Sequence, residues 1–286
     1  MTGESSLAID KVSESKAFGG VQGVYRHASS ATGTDMTFAA YVPPHEDGAR
    51  LPVLWYLSGL TCTHANVMDK GEYRRACGDH GVILIAPDTS PRGDGVPDVE
   101  DWDFGQGASF YVDATETPWA ANYRMRSYVE DELPALVAAE FPQADMARQG
   151  IFGHSMGGHG ALTVALRNKG RFASVSAFAP IASPIACPWG EKALGGYLGD
   201  DRLAWRAYDA CALIDDGARI DALLVDQGDA DGFLDEQLRP DLLAAACARA
   251  GIDLTLRMQP GYDHSYNFVS TFMRDHIAWH GGRLKA

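Results

Sequence analysis

The chain has no apolar run approaching the ~18 residues that a bilayer span needs. Its first sixteen residues, through Lys16, are polar and mixed in charge, without the apolar core of a secretory signal. Positive charge is scarce: 24 Lys and Arg stand against 38 Asp and Glu, a net charge of −14. That balance argues against nucleic acid and anionic membrane surfaces as partners. An anionic small substrate stays open, because it responds to charges inside a cleft more than to the distant total. Cysteine is sparse too, with Cys62, Cys77, Cys187, Cys211 and Cys247 odd in number, widely spread and outside any metal-ligand spacing. They read as free thiols in a reducing compartment, so a soluble cytoplasmic protein is expected. Repeats, low-complexity tracts and linkers are missing as well.

What is present is a globular composition, with 46% hydrophobic and 10% aromatic residues in 286. Apolar strand-like runs recur at 38–42, 53–57, 82–86, 174–179, 222–226 and 254–258, most with little polar alternation. Such runs suit central strands covered on both faces. Helical patterns fall at 123–141, 158–168, 235–250 and 266–280. The alternation predicts an α/β chain with a mostly parallel, doubly wound central sheet flanked by helices. Residues 1–286 read as one domain, with 1–18 a loosely ordered leading segment. Two stretches fit neither pattern: 87–119, rich in Gly, Asp and aromatics, reads as an ordered functional loop, and 180–200 as an insertion over the strand ends.

The most informative pentapeptide is Gly153-His154-Ser155-Met156-Gly157, preceded by the short apolar strand Gly150-Ile151-Phe152 and followed by the small-residue helix 158–168. Strand, Gly-x-Ser-x-Gly, helix is the setting of a nucleophile elbow, in which glycines remove Cβ atoms that would collide in a very tight turn. A helix N-terminus beneath the serine favours negative charge there. A glycine-rich turn packing a helix on a sheet would explain the glycines but not the serine.

An activated serine needs a base within hydrogen-bond reach and a carboxylate to orient it. After Ser155 the histidines are His159, His264, His276 and His280. His159 lies in the elbow helix facing away from the hydroxyl. His276 and His280 suit a solvent-facing or packing role on the last helix. His264 follows the strand 254–258 in the loop before that helix, the place for the base. For the acid, Asp226 belongs to the strand, Asp229 sits at the turn tip, and Asp231 can fold back over the strand end while Phe233 and Leu234 anchor the loop. Asp231 is the reading, with Asp229 its main rival; Asp263, beside His264, supports the loop. The expected oxyanion donors are the N–H of Met156 and that of Leu60, in the loop after strand 53–57.

These residues sit in segments with a family pattern: Leu57-Ser58-Gly59-Leu60-Thr61-Cys62-Thr63, Ala86-Pro87-Asp88-Thr89-Ser90-Pro91-Arg92-Gly93, Trp102-Asp103-Phe104-Gly105, Phe110-Tyr111-Val112-Asp113-Ala114-Thr115, Gly153 to Leu162, Cys187-Pro188-Trp189-Gly190, Asp226-Gln227-Gly228 and Gly261-Tyr262-Asp263-His264-Ser265-Tyr266. From about Gly19 to the C-terminus the chain resembles the S-formylglutathione hydrolases, the esterase D family of the α/β-hydrolase fold. The resemblance places the nucleophile on Ser155, the acid on Asp231, the base on His264 and the oxyanion donors on Leu60 and Met156. It implies hydrolysis of S-formylglutathione, a glutathione thioester, to formate and glutathione in formaldehyde detoxification. It further implies no metal or organic cofactor, and a homodimer. Three positions depart from the family pattern: His64 and Val67, expected to alter the pocket rim, and Ser109, expected to alter its loop.

Lys70, Arg74, Arg75, Arg92 and Lys192 are candidate partners for the two glutathione carboxylates, with ordinary surface charge as the alternative. Trp102 and Trp189 are candidates for the cleft wall, with core packing as the alternative. Cys62 is expected at the pocket edge without a chemical role, the alternative being a small buried apolar residue. A general carboxylesterase or acyltransferase on the same scaffold is the rival activity, and a catalytically dead binding module the rival of another class.

Overall fold

The computed structural model describes residues 9–285. Nine strands form one sheet in the order β1-β2-β3-β5-β4-β6-β7-β8-β9. They span Asp10–Ala17, Gly20–Ala28, Asp35–Val42, Leu51–Leu57, Ile83–Pro87, Ala144–His154, Phe172–Phe178, Ala222–Gly228 and Asp253–Gln259. β1, β2, β3 and β5 pair antiparallel in turn, and every pairing from β5 through β4 to β9 is parallel. β4, β5, β7 and β8 are buried along nearly their whole length, which is why their apolar runs lack alternation. The sheet and its flanking helices form the mostly parallel α/β arrangement that the strand–helix alternation predicts and the α/β-hydrolase fold that the resemblance implies.

The chain leaves β4 toward β5 on one side and then returns to place β6 on the other. β4 therefore marks the point where the winding direction reverses, and ligands of open α/β sheets bind outside the strand ends at such a point. The register brings Leu57 opposite Gly153. The loop after Leu57 and the elbow after His154 thus emerge side by side.

Two expectations need correction. Residues 1–18 do not form one loose segment: 10–17 are the edge strand β1, paired with β2 through a two-residue turn at Phe18 and Gly19, both with positive φ. Residues 1–8 lie outside the described residues. β1 escaped notice because Asp10–Ala17 is polar and exposed along seven of its eight positions, so no burial pattern marks it. The predicted helix 235–250 is interrupted: Arg239 takes φ 50°, and a regular helix starts only at Pro240. The insertion 180–200 is largely helical, through Pro188–Leu198. Between β5 and the turn at Trp119, residues 88–118 contain no helix or strand yet hold buried Phe110, Tyr111 and Val112, as expected of an ordered loop.

His154, His159, His276 and His280 are all buried. Burial holds each below the ordinary histidine range, so each is neutral in the fold. Unfolding below pH ~6.5 exposes them to protonation, so the unfolded chain binds more protons there. The histidine contribution is therefore complete above about pH 6.5 and is lost as pH falls, each group contributing up to roughly 1.4 kcal/mol per pH unit. The melting temperature should drop by roughly 5 °C or more between pH 7.5 and pH 5.5. A flat calorimetric profile over that interval would contradict this account.

Candidate active site

Ser155 stands between β6 and the helix Met156–Arg167 with φ 59° and ψ −120°, a conformation that a non-glycine residue adopts only under constraint. Crowding imposes it. A Cβ on Gly157 would lie 1.9 Å from the Leu57 carbonyl oxygen, and one on Gly153 would lie 2.3 Å from the Gly157 oxygen. The Ser155 N–H donates to the Phe178 carbonyl at 2.9 Å, and the Ser155 carbonyl accepts from the His159 N–H at 2.9 Å. The turn is thus tied to β7 and to its own helix.

The loop after β4 lies against this elbow. A Cβ on Gly59 would sit 3.0 Å from the Ser155 Cβ and 3.1 Å from the His154 oxygen. Thr61 adopts φ 65°, and its N–H donates to the Gly107 carbonyl at 2.9 Å. The long 88–118 loop braces it further. The Tyr111 hydroxyl donates to the Ser58 carbonyl at 2.9 Å, and Arg92 donates to the Cys62 carbonyl at 3.1 Å while paired with Asp88. Met156 is the first residue of its helix, so its N–H has no acceptor within that helix.

Asp231 and His264 come from the loops after β8 and β9. His264 Nδ1–H donates to Asp231 Oδ2 at 2.6 Å. That bond leaves the lone pair on Nε2, the tautomer that a general base requires. Asp231 is held in turn: Oδ2 accepts from Gln227 Nε2 at 3.2 Å and Oδ1 from the Phe233 N–H at 2.9 Å. The Phe233 ring meets the His264 ring edge-on at 5.2 Å, and His154 lies at 4.6 Å from it. Asp229 is engaged elsewhere, accepting from the Gly261 N–H at 2.7 Å, and Asp263 accepts from Ser265.

A cavity of about 240 Å³ joins these parts, lined by Gly59, Leu60, Thr61 and Cys62 from the first loop, His154 and Ser155 from the elbow, and His264, Ser265 and Tyr266. Trp102, Trp189 and Phe233 complete the wall. Trp102 meets Trp189 edge-on at 5.5 Å, and Trp189 meets Phe233 at 4.7 Å. Cys62 is half-buried, and burial raises its thiol above the ordinary range. Ser155, Asp231, His264, Leu60, Met156, Cys62, Trp102 and Trp189 are therefore brought to one place, as side chains or as backbone. His154, Gln227 and Tyr266 escaped the sequence reading as contributors here. Gln227 and Tyr266 stand in family segments, whereas His154 gave no signal apart from its place beside the serine.

A matching family model, described as "Putative esterase", covers residues 29–279. An S-formylglutathione hydrolase of Paracoccus denitrificans (strain Pd 1222) is 55% identical over 279 residues, covering 98% of this chain and 99% of that protein. The chain belongs to the S-formylglutathione hydrolase family of esterases. The enzyme of that name from Mus musculus is 52% identical over 98% of this chain and 100% of its own length. A solved S-formylglutathione hydrolase from Agrobacterium tumefaciens superposes with a TM-score of 0.95 at 58% identity, covering 96% of this chain and 99% of that one.

Other candidates fall outside the cleft. None of the five cations lines the cavity. Lys192 binds Asp101 and Asp103, Arg74 binds Gln22 and the Met68 carbonyl, and Arg75 lies over the Phe18 ring. Lys70 ends the short helix His64–Lys70. His64 and Val67 do not form the rim either: Val67 is wholly buried in the core behind that helix. Ser109 is buried and ties its loop, donating to the Thr89 carbonyl at 2.5 Å and accepting from the Tyr111 N–H at 3.2 Å. His276 and His280 are wholly buried, so of their two expected roles only packing survives.

The close approach of Gly59 supplies a test. A methyl group there must push the Leu60 loop off the elbow by a few tenths of an ångström. Gly59→Ala should therefore slow ester turnover by roughly tenfold to a hundredfold, part of what one lost oxyanion donor costs. Unchanged turnover in the folded variant would show that the loop's position does not matter.

Proposed function

We propose that the chain hydrolyses S-formylglutathione to formate and glutathione through a formyl-Ser155 intermediate. The observation that carries the reading is the arrival of Ser155 and the Asp231-bound His264 in one cavity, in a chain sharing more than half its residues with relatives bearing that name. His264 Nε2 takes the Ser155 proton as Oγ attacks the formyl carbon. The negative oxygen of the tetrahedral adduct lies between the N–H groups of Leu60 and Met156, aided by the helix N-terminus. The C–S bond then breaks, and the thiolate leaves and takes the proton from the imidazolium. A thiol pKa near ~8.5 makes it a better leaving group than an amine, so acid assistance matters less than in a protease. Water, deprotonated by His264, attacks the formyl ester and frees formate and Ser155.

Among the described residues no Lys, Arg, Asp or Glu lines the cleft. Substrate recognition at the reacting end therefore rests on shape and on the Trp102, Trp189 and Phe233 faces, while the glutathione carboxylates remain outside it. The enzyme acts as one domain in a reducing cytoplasm, where its five free cysteines persist, and as a homodimer. No helix among the described residues is long and apolar enough to cross a membrane.

Steady-state kinetics test the reading. With glutathione thioesters kcat/KM should fall steeply from formyl to acetyl to butyryl, and Ser155→Ala should lose at least ~10⁴-fold. A flat acyl series, or nitrophenyl esters outpacing the formyl thioester, would favour a general esterase instead. Cys62 yields a separate expectation. Burial holds its half-buried thiol above the ordinary range, so alkylation should be slow, but the added group should then block the cavity. Cys62→Ser should stay active within a few-fold; a folded but inactive serine variant would give the thiol a chemical role.

A further inference from the structure

Beneath the cleft a second set of polar side chains is buried where the last helix, Tyr266–Leu284, packs on β7 and β8. Ser174 and Ser176 are two apart on β7 and share one face of the sheet. His276 and His280 are four apart on the helix and share one stripe. Ser174 Oγ lies 2.7 Å from His280 Nδ1, His280 Nε2 lies 2.8 Å from Ser176 Oγ, Ser176 Oγ lies 2.8 Å from His276 Nδ1, and His276 Nε2 lies 3.1 Å from Asp226 Oδ2. The set passes over Gly150, whose absent Cβ would lie 2.6 Å from Ser174 Oγ and 2.9 Å from His280 Nδ1.

Counting protons leaves one arrangement. The Asp226 carboxylate only accepts, so His276 Nε2 carries hydrogen. Arg257 already supplies the counter-charge, donating to both Asp226 oxygens, and Gln259 donates to Oδ1 at 2.9 Å. Burial opposes a second cation, and both histidines lie below their ordinary range. His276 Nδ1 is therefore a lone pair and must receive the single Ser176 proton. Ser176 Oγ then accepts from His280 Nε2–H, and His280 Nδ1 accepts from Ser174. All four bonds run in one direction, toward Asp226. The Asp226–His276–Ser176 portion has the connectivity of a hydrolytic triad, but Ser176 is wholly buried and no acyl group can reach it.

Two elements of this chain, its Asp226 end and its helix, run on to the catalytic pair. Asp226 precedes Gln227, whose amide donates to Asp231 Oδ2 at 3.2 Å. The helix carrying His276 and His280 begins two residues after His264. We propose that Ser176, His276 and Asp226 are positioning residues for the reaction: their one-directional hydrogen-bond chain sets the seat of the last helix and so holds the Asp231–His264 contact. The inference rests on the reading of Asp231 and His264 as acid and base.

Ser176→Ala tests it by removing one buried oxygen that touches neither the cleft nor the catalytic pair. The expected result, well below the variant's melting temperature, is a tenfold or greater fall in kcat for S-formylglutathione with KM within twofold of the parent. The low-field proton resonance of His264 Nδ1–H should shift in the same variant. Ile277→Ala, an apolar truncation on the same buried helix, should lower melting while leaving kcat within twofold. Parent-like kcat in Ser176→Ala, or an equal loss in Ile277→Ala, would overturn the proposal. Should Ser176→Ala not fold, nitrogen-15 spectra of the parent decide: His276 and His280 must both be neutral with hydrogen on Nε2 at pH 7, and an imidazolium or an Nδ1–H form of either overturns the proposal. Failure of the acid–base reading itself would look different, as parent-like activity in Asp231→Asn.

Discussion

The contact on which the site depends is the crowding at the carboxyl ends of β4 and β6. Leu57 and Gly153 pair there, and the backbones of two loops and one helix meet with no room for a Cβ on Gly153 or Gly157. That density forces Ser155 into left-handed backbone geometry. It also places the Leu60 loop beside the nucleophile before any substrate arrives. Electrostatic stabilisation of an oxyanion works only when its donors need no rearrangement during reaction, and close packing is what keeps them still.

Around this point the molecule separates two kinds of polarity. The cleft wall is rich in aromatics and carries no acidic or basic side chain among the described residues, whereas a buried carboxylate, Asp226, lies a layer deeper, paired with the half-exposed Arg257. Asp226 is held down to about 2, against the opposing effect of its burial, by His276, Arg257 and Gln259. A carboxylate so fully paired is a fixed anchor, not a proton carrier. Asp231, by contrast, spends its oxygens on Gln227, Phe233 and His264. β8 itself carries Asp226, and the loop that follows it brings Asp231 to His264.

Much of this was legible in the residues. The apolar runs located seven of the nine strands, most of them, such as β4, β5, β7 and β8, because strands buried on both faces need no polar alternation. The elbow was legible because only a tight turn requires glycine at 153 and 157 around a serine. His264 and Asp231 followed from their places after β9 and β8. The edge strand Asp10–Ala17 was not legible: it is exposed at seven of eight positions, and what holds it is backbone pairing with β2 together with surface polar contacts such as the Tyr25 hydroxyl donating to Glu14 at 2.7 Å. The break at Arg239 was marked in the sequence by Pro240, which has no N–H to continue a helix and suits only its first turn; the expected helix 235–250 ran through it.

By itself, then, the sequence determined the tight turn around Ser155, the loops after β8 and β9 that carry Asp231 and His264, and an interior of mostly parallel strands. These are local consequences of residue size, backbone freedom and burial, and they read out within a few positions. Tertiary structure alone decided that no Lys or Arg among the described residues lines the cleft, that Phe233 and His154 flank His264, and that Ser174, Ser176, His276, His280 and Asp226 form one chain. Those outcomes depend on which distant residues face each other across the sheet, up to 106 positions apart for Ser174 and His280. Register and helix seating set such pairings, and neither is written in any short window of the chain.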